Sequence, residues 1–226
     1  MMRYPPEPWR LRGRMYVSVW ALRRAELPRL PAELARAVRP VTIAGRGLVG
    51  AAWVGYEPGG VLHYRELLSA LLVRAGLRPR VSITHIWVDS VASRDGGREL
   101  WGIPKELAEL EIGDDGPTTG TAVEDITTSA RTPRGPVARA LVRPGRRLPG
   151  RWPVGFRVAQ LLGGRVRTTR VGCRTTVGTA VTTWEIDPAG PLAHLSGRRP
   201  LLTLALPHFR MVFGSAAPTS DGSPGG

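Results

Sequence analysis

Hydrophobic and polar positions along the chain alternate far more often than they recur at helical spacing. Met15–Leu22 (MYVSVWAL) mixes aromatic and β-branched residues and predicts a strand. Leu48–Tyr56 (LVGAAWVGY) repeats that pattern around glycines, and Gly59-Gly60 then turns the chain. Leu62–Val73 fits either a bent strand or a helix from Tyr64 onward. Arg80–Asp89 (RVSITHIWVD) is the clearest strand, with Val81, Ile83 and His85 on one face and Ile86 and Val88 on the other. Leu107–Ile112 alternates apolar and acidic residues, as a half-exposed strand does. Thr119–Thr128, Val137–Val142, Arg165–Thr176, Thr179–Ile186, Leu201–Leu206 and Phe209–Phe213 add further strands.

Helical signals are few. Pro31–Val38 (PAELARAV) places proline at a first turn ahead of good helix formers. Ser90 is placed to cap a helix over 91–100, Gly102 to end it, and Pro104 to prevent its continuation. Strands outnumber helices, which predicts a mainly β (α+β) barrel or sandwich with a few short helices. Residues 1–214 read as one domain, and 215–226 (SAAPTSDGSPGG) as a flexible tail without core-forming residues.

Composition excludes several classes. The chain has 226 residues, 42% hydrophobic and 22% charged, which is a globular composition with ample material for a core. Cys173 is the lone cysteine, so no internal disulfide forms. No apolar run approaches a membrane span, and Met1–Arg10 holds three prolines and no secretory signal pattern, so a cytoplasmic location and no membrane partner are expected.

The net charge is +14, and between Asp125 and Glu185 twelve arginines occur without one acidic residue. Such a surface attracts anions, but no helix-turn-helix, zinc spacing or base-stacking motif accompanies it, so nucleic acid is not the expected partner. Arg143–Arg151 (RPGRRLPGR) reads as an exposed loop. The four histidines show no metal-binding spacing, and no Walker loop, GxGxxG turn or GxSxG elbow is present. Neither a metal nor another cofactor is expected.

The informative residue is Lys105. It is the only lysine among 32 Lys and Arg residues, and asparagine is absent, as in a chain whose codons favour arginine and glycine. Arginine serves solubility as well as lysine does, but only lysine can shed its proton on burial and act as an amine nucleophile. Its neighbours Trp101, Gly102, Ile103 and Pro104 are apolar or rigid. A deprotonated amine attacks a ketone to form an imine, and the protonated imine is an electron sink for cleaving a nearby bond.

Gly97-Arg98-Glu99-Leu100 followed by Gly102-Ile103-Pro104-Lys105 resembles the acetoacetate decarboxylase family. Ile86–Ser90 (IWVDS) is similar to that family's preceding strand. The family is itself a standard example of a lysine activated by its surroundings. The resemblance implies that Lys105 is the Schiff-base lysine of an acetoacetate decarboxylase-like β-barrel or cone. Tyr64-Arg65-Glu66 resembles the family's Tyr-x-Glu, which implies that Glu66 is the active-site acid. Arg14-Met15-Tyr16 resembles an Arg-x-Tyr entering the first strand, which implies that Arg14 holds the substrate carboxylate.

Two departures stand out. Glu106 occupies the place of the family's second lysine, and a second glutamate expected around Ala51–Trp53 has no counterpart. The resemblance implies a cofactor-independent carbon–carbon lyase, a homo-oligomer, that decarboxylates a small β-keto acid. The rival readings are aldol or dehydration chemistry by the same lysine, and a non-catalytic protein whose arginines hold an anionic partner.

Overall fold

A computed structural model describes residues 4–113 and 125–215. Its elements are β1 (Trp9–Arg23), α1 (Ala32–Ala37), β2 (Arg39–Pro40), β3 (Thr42–Ile43), β4 (Arg46–Tyr56), β5 (Tyr64–Ala75), β6 (Arg78–Val88), α2 (Val91–Trp101), β7 (Lys105–Leu107), β8 (Glu109–Ile112), β9 (Ile126–Thr132), β10 (Gly135–Arg147), β11 (Trp152–Leu162), β12 (Arg165–Thr175), β13 (Gly178–Ile186) and β14 (Leu202–Phe213).

Seven strands in the order β1-β4-β5-β6-β11-β12-β14 close into a barrel through the antiparallel pairing of β1 with β14. Beyond β14 the sheet continues through β13, β10, β9 and β8. Two cores follow from the strand period of two. Inside the barrel lie Trp9, Val54, Tyr56, Tyr64, Ile86, Val158, Val171, Phe209 and Met211. The opposite faces of the same strands supply Tyr16, Trp20, Trp53, Leu67, Leu71 and Trp87, which meet Leu110, Ile126, Val137, Val142 and Ile186 of the second layer. Trp184 ties that layer down by stacking on Trp53, with ring centroids 5.7 Å apart, and by donating to Ser18 Oγ at 2.9 Å.

The mainly β expectation and both helices match the structure, and Leu62–Val73 resolves as strand β5. In β6 the expected faces differ. Ser69 pairs with His85 but Ala70 with Ile83, so Thr84 is an extra residue in the ladder. This bulge resets the alternation. Ile83, Ile86 and Val88 all reach the barrel interior, while His85 turns outward to stack near Trp87. Strand β11 was not expected, because Pro153 and Gly155 interrupt its pattern. Leu201–Leu206 and Phe209–Phe213 form one strand across Pro207. Arg143–Arg147 ends β10 rather than starting a loop. Residues 119–124 of one expected strand and 216–226 of the expected tail lie outside the described residues.

Candidate active site

The site forms where β6, α2 and β7 make a β-α-β crossover. Ser90 caps α2 by accepting from the Ser93 amide at 3.2 Å. Gly102 then stops the helix in the left-handed conformation at φ 67°. A side chain at Gly102 would also place its Cβ 2.1 Å from the Leu161 carbonyl oxygen, so only glycine fits this turn. After Pro104 the chain extends and pairs parallel with β6, setting Lys105 beside Ile86. The Arg98 guanidinium donates to the Lys105 carbonyl oxygen at 2.6 Å and fixes the backbone under the side chain.

Lys105 is 4% exposed. Its Nζ donates to Glu66 Oε2 at 2.8 Å, to Ser93 Oγ at 2.9 Å and to Tyr64 Oη at 3.3 Å. It lies 5.1 Å from the Tyr64 ring centroid and 6.0 Å from that of Trp9. Two glycines of α2 make this approach possible. A Cβ on Gly97 would stand 2.7 Å from Lys105 Cδ, and one on Gly96 would stand 2.5 Å from the Trp9 ring.

Glu66, 3% exposed, sits on the inward face of β5. Tyr56 and Tyr64 donate to its two oxygens at 3.3 and 3.4 Å. Burial first, then the negative charge of Glu66, pushes both phenols well above their ordinary range, so both stay protonated donors. A buried carboxylate thus has one cation and two hydroxyls, the satisfaction that an ion pair out of water requires. The arrangement can pass a proton between Nζ and the carboxylate over one hydrogen bond, leaving a free amine buried beside the Tyr64 and Trp9 rings.

The structure therefore brings Lys105 and Glu66 together. It does not bring Arg14 to them. Arg14 pairs across the sheet with Gly55, which pairs with Arg65, whereas Met15, Val54 and Glu66 occupy the neighbouring row. Paired residues share a face, so Arg14 points out of the barrel. Its guanidinium donates to the Gly113 carbonyl oxygen at 2.9 Å. The expected carboxylate clamp is corrected on this geometry: the Arg-x-Tyr pattern located the strand but not its face. Glu106 is exposed and lies on the other side of the β7 backbone, in a cleft of about 730 Å³ shared with His85, Arg94 and Arg98. Its carboxylate faces away from the Lys105 amine, as alternation along β7 requires.

Ser93, Tyr56 and Trp9 were not singled out from sequence. Tyr64 was readable in hindsight, because residues 64 and 66 of a strand share a face. Of the arginine-rich stretch, Arg143 pairs with Asp125 and Arg167 with Glu7, both at 2.6 Å. Among the described residues no three His, Cys, Asp or Glu side chains gather as a metal site would require, and no helix is long and apolar enough to cross a membrane.

The family model for acetoacetate decarboxylase matches residues 29–204. No curated protein matches the chain in sequence. Among solved structures, the enduracididine biosynthesis enzyme MppR with HEPES bound superposes with a TM-score of 0.70 at 15% identity, covering 94% of this chain and 88% of that one. MppR complexed with the condensation product of pyruvate and imidazole 4-carboxaldehyde gives a TM-score of 0.66 at 15% identity, covering 94% and 89%. Acetoacetate decarboxylase from Legionella pneumophila gives 0.63 at 16% identity, covering 96% and 90%. At these identities the likeness concerns the fold.

Proposed function

The chain belongs to the acetoacetate decarboxylase family and is a lyase-type enzyme; from that premise we propose that it decarboxylates a β-keto acid through a Schiff base on Lys105. The observation that carries this reading is the buried Nζ held 2.8 Å from a buried carboxylate. Glu66 takes the proton from Nζ, and the free amine attacks the ketone carbon. Proton transfer to the carbinolamine oxygen releases water and leaves a protonated imine. The bond to the carboxylate carbon then breaks, its electron pair moves into the imine, and carbon dioxide departs. The proton that Glu66 took from Nζ leaves with that water, so Glu66 takes up another from solvent and delivers it to the α-carbon of the enamine, and water hydrolyses the imine to free the ketone and the amine. Tyr56 and Tyr64 hold Glu66 in place through these exchanges. The imine is the electron sink, so the reading needs no cofactor.

A second reading has a specific observation behind it. MppR, which shares this fold, has been captured with the condensation product of pyruvate and imidazole 4-carboxaldehyde. That complex favours carbon–carbon bond formation or dehydration by the same Schiff base. Product analysis with a β-keto acid separates the two. Decarboxylation predicts stoichiometric carbon dioxide and ketone, both lost in Lys105→Arg. Turnover of pyruvate and an aldehyde without carbon dioxide release establishes the second reading instead. A homo-oligomer is part of this proposal, and sedimentation of the purified protein tests it.

A further inference from the structure

The barrel interior runs on past the lysine. One row of paired residues circles it from Leu204 through Val17, Ala52, Leu68 and Ile86 to Lys105. Each member shares the inward face of its neighbour, so the lysine ends an otherwise apolar ring. Further along β5 the inward positions are Ala70 and Leu72, beside Ile83 and Val81 of β6. From Glu66 to Leu72 this wall extends about 20 Å at the usual rise of a strand.

The wall is neither filled nor closed. Met15, Val17, Leu68 and Val81 pack against the buried interior but are themselves only partly buried. A Cβ on Gly50, which pairs with Ala70, would meet nothing nearer than the Ser18 carbonyl oxygen at 3.8 Å. At the rim, Val154, Phe156 and Leu204 are 40%, 37% and 36% exposed. Val154 and Phe156 pair with Cys173 and Val171, both interior residues, so they too belong to the inner wall. Apolar side chains facing inward yet open to water are unusual in a barrel sized to fill itself. No charged side chain lies in the row that leads to the lysine, and Arg14 is outside.

Resting on the Schiff-base reading, we infer that the substrate is a keto acid with an apolar acyl substituent of several carbons, longer than the methyl group of acetoacetate. Its ketone sits at Lys105, and its tail lies along Val17, Leu68 and Val81 toward Phe156 and Leu204. Specificity then comes from desolvation. Each added methylene leaves water for the wall, and polar or charged tails are rejected because nothing in the row hydrogen-bonds them.

The test is kcat/KM for acetoacetate, β-oxohexanoate and β-oxooctanoate, with benzoylacetate as a bulky member. The expected result is a rise of about fourfold per methylene. Octanoate, which lacks the ketone, is expected to compete with substrate more strongly than butyrate. Leu68→Trp, which fills the row, and Leu204→Glu, at the rim, are expected to bring the long-to-short ratio toward one, with melting curves checking the fold. A flat or falling series in an enzyme that still forms its borohydride-trapped adduct overturns the inference and leaves the Schiff-base reading intact. No adduct with any keto acid removes that reading. Octanoate binding, followed by tryptophan fluorescence, then still decides whether the wall holds an apolar tail. If Leu204→Glu dissociates an assembly in sedimentation without moving the ratio, the rim is a subunit contact and the inference fails.

Discussion

Replacing Gly97 by alanine separates the stability of the site from its chemistry. Gly97 lies inside α2, where alanine is a better helix former by about 1 kcal/mol. The helix alone should therefore gain. The new methyl, however, would stand 2.7 Å from Lys105 Cδ and 2.9 Å from Cε, against the 3.4 Å at which ordinary contact begins. The lysine stem must retreat by about 0.7 Å, because the Lys105 backbone is held by β6 and by Arg98. That shift carries the stem away from α2, which draws Nζ off Ser93 of the same helix and off the approach to a bound ketone. Misplacement of a reacting group by about 1 Å costs roughly 10²-fold in rate. The expected outcome is a melting temperature equal to or above that of the parent and a fall in kcat of roughly 10 to 10²-fold. The assays are a thermal melt followed by circular dichroism and a single-turnover rate of imine formation. An unchanged imine rate in a folded Gly97→Ala protein would refute the claim that this helix face positions the nucleophile.

Other predictions follow from the same geometry. Glu66→Gln keeps the shape but leaves Nζ without its counter-charge. Loss of a buried partner costs about 3–5 kcal/mol where the remaining charge stays, so a lower urea midpoint and loss of turnover are expected together; wild-type turnover would remove Glu66 from the proton path. His194 is held down to about 4, by burial first and then by His85 and Arg198. The unfolded chain takes up that proton nearer pH 6.5, so the contribution is complete above 6.5 and fades as pH falls toward 4. Its size is about 3 kcal/mol at most, reduced to roughly 2 by the water that reaches the ring. Urea midpoints across that window should fall less in His194→Phe than in the parent, and parallel profiles would contradict this. Burial pushes the Cys173 thiol up to about 11, so it should react with a disulfide reagent far more slowly in the native protein than in urea. Equal rates would show that the barrel interior is not formed.

The lysine was legible because composition isolated it and because Gly102 and Pro104 are local signals that act through backbone geometry alone. The cap at Ser90 and the helix it begins belong to the same class. Glu66 was legible through the spacing of its motif, but its distance from Lys105 is set by β5 pairing with β6, a contact between segments far apart in sequence. Arg14 failed for a related reason. A pattern locates a residue on a strand, whereas its face depends on register, and a shift of one position reverses every side chain. The bulge at Thr84 shows the same limit: nothing in RVSITHIWVD marks which residue the ladder will skip. Closure of the barrel joins β1 to β14, the first strand to the last, and β11 enters that ring despite a proline and a glycine that argue locally against it.

The central claim is that the amine of Lys105 itself bonds to the substrate carbonyl. Sodium borohydride added during turnover of a β-keto acid, followed by digestion and mass spectrometry, tests it most directly. The account predicts a reduced adduct on the peptide that carries Lys105, and none with Lys105→Arg. Full turnover with no mass added to that peptide would contradict it.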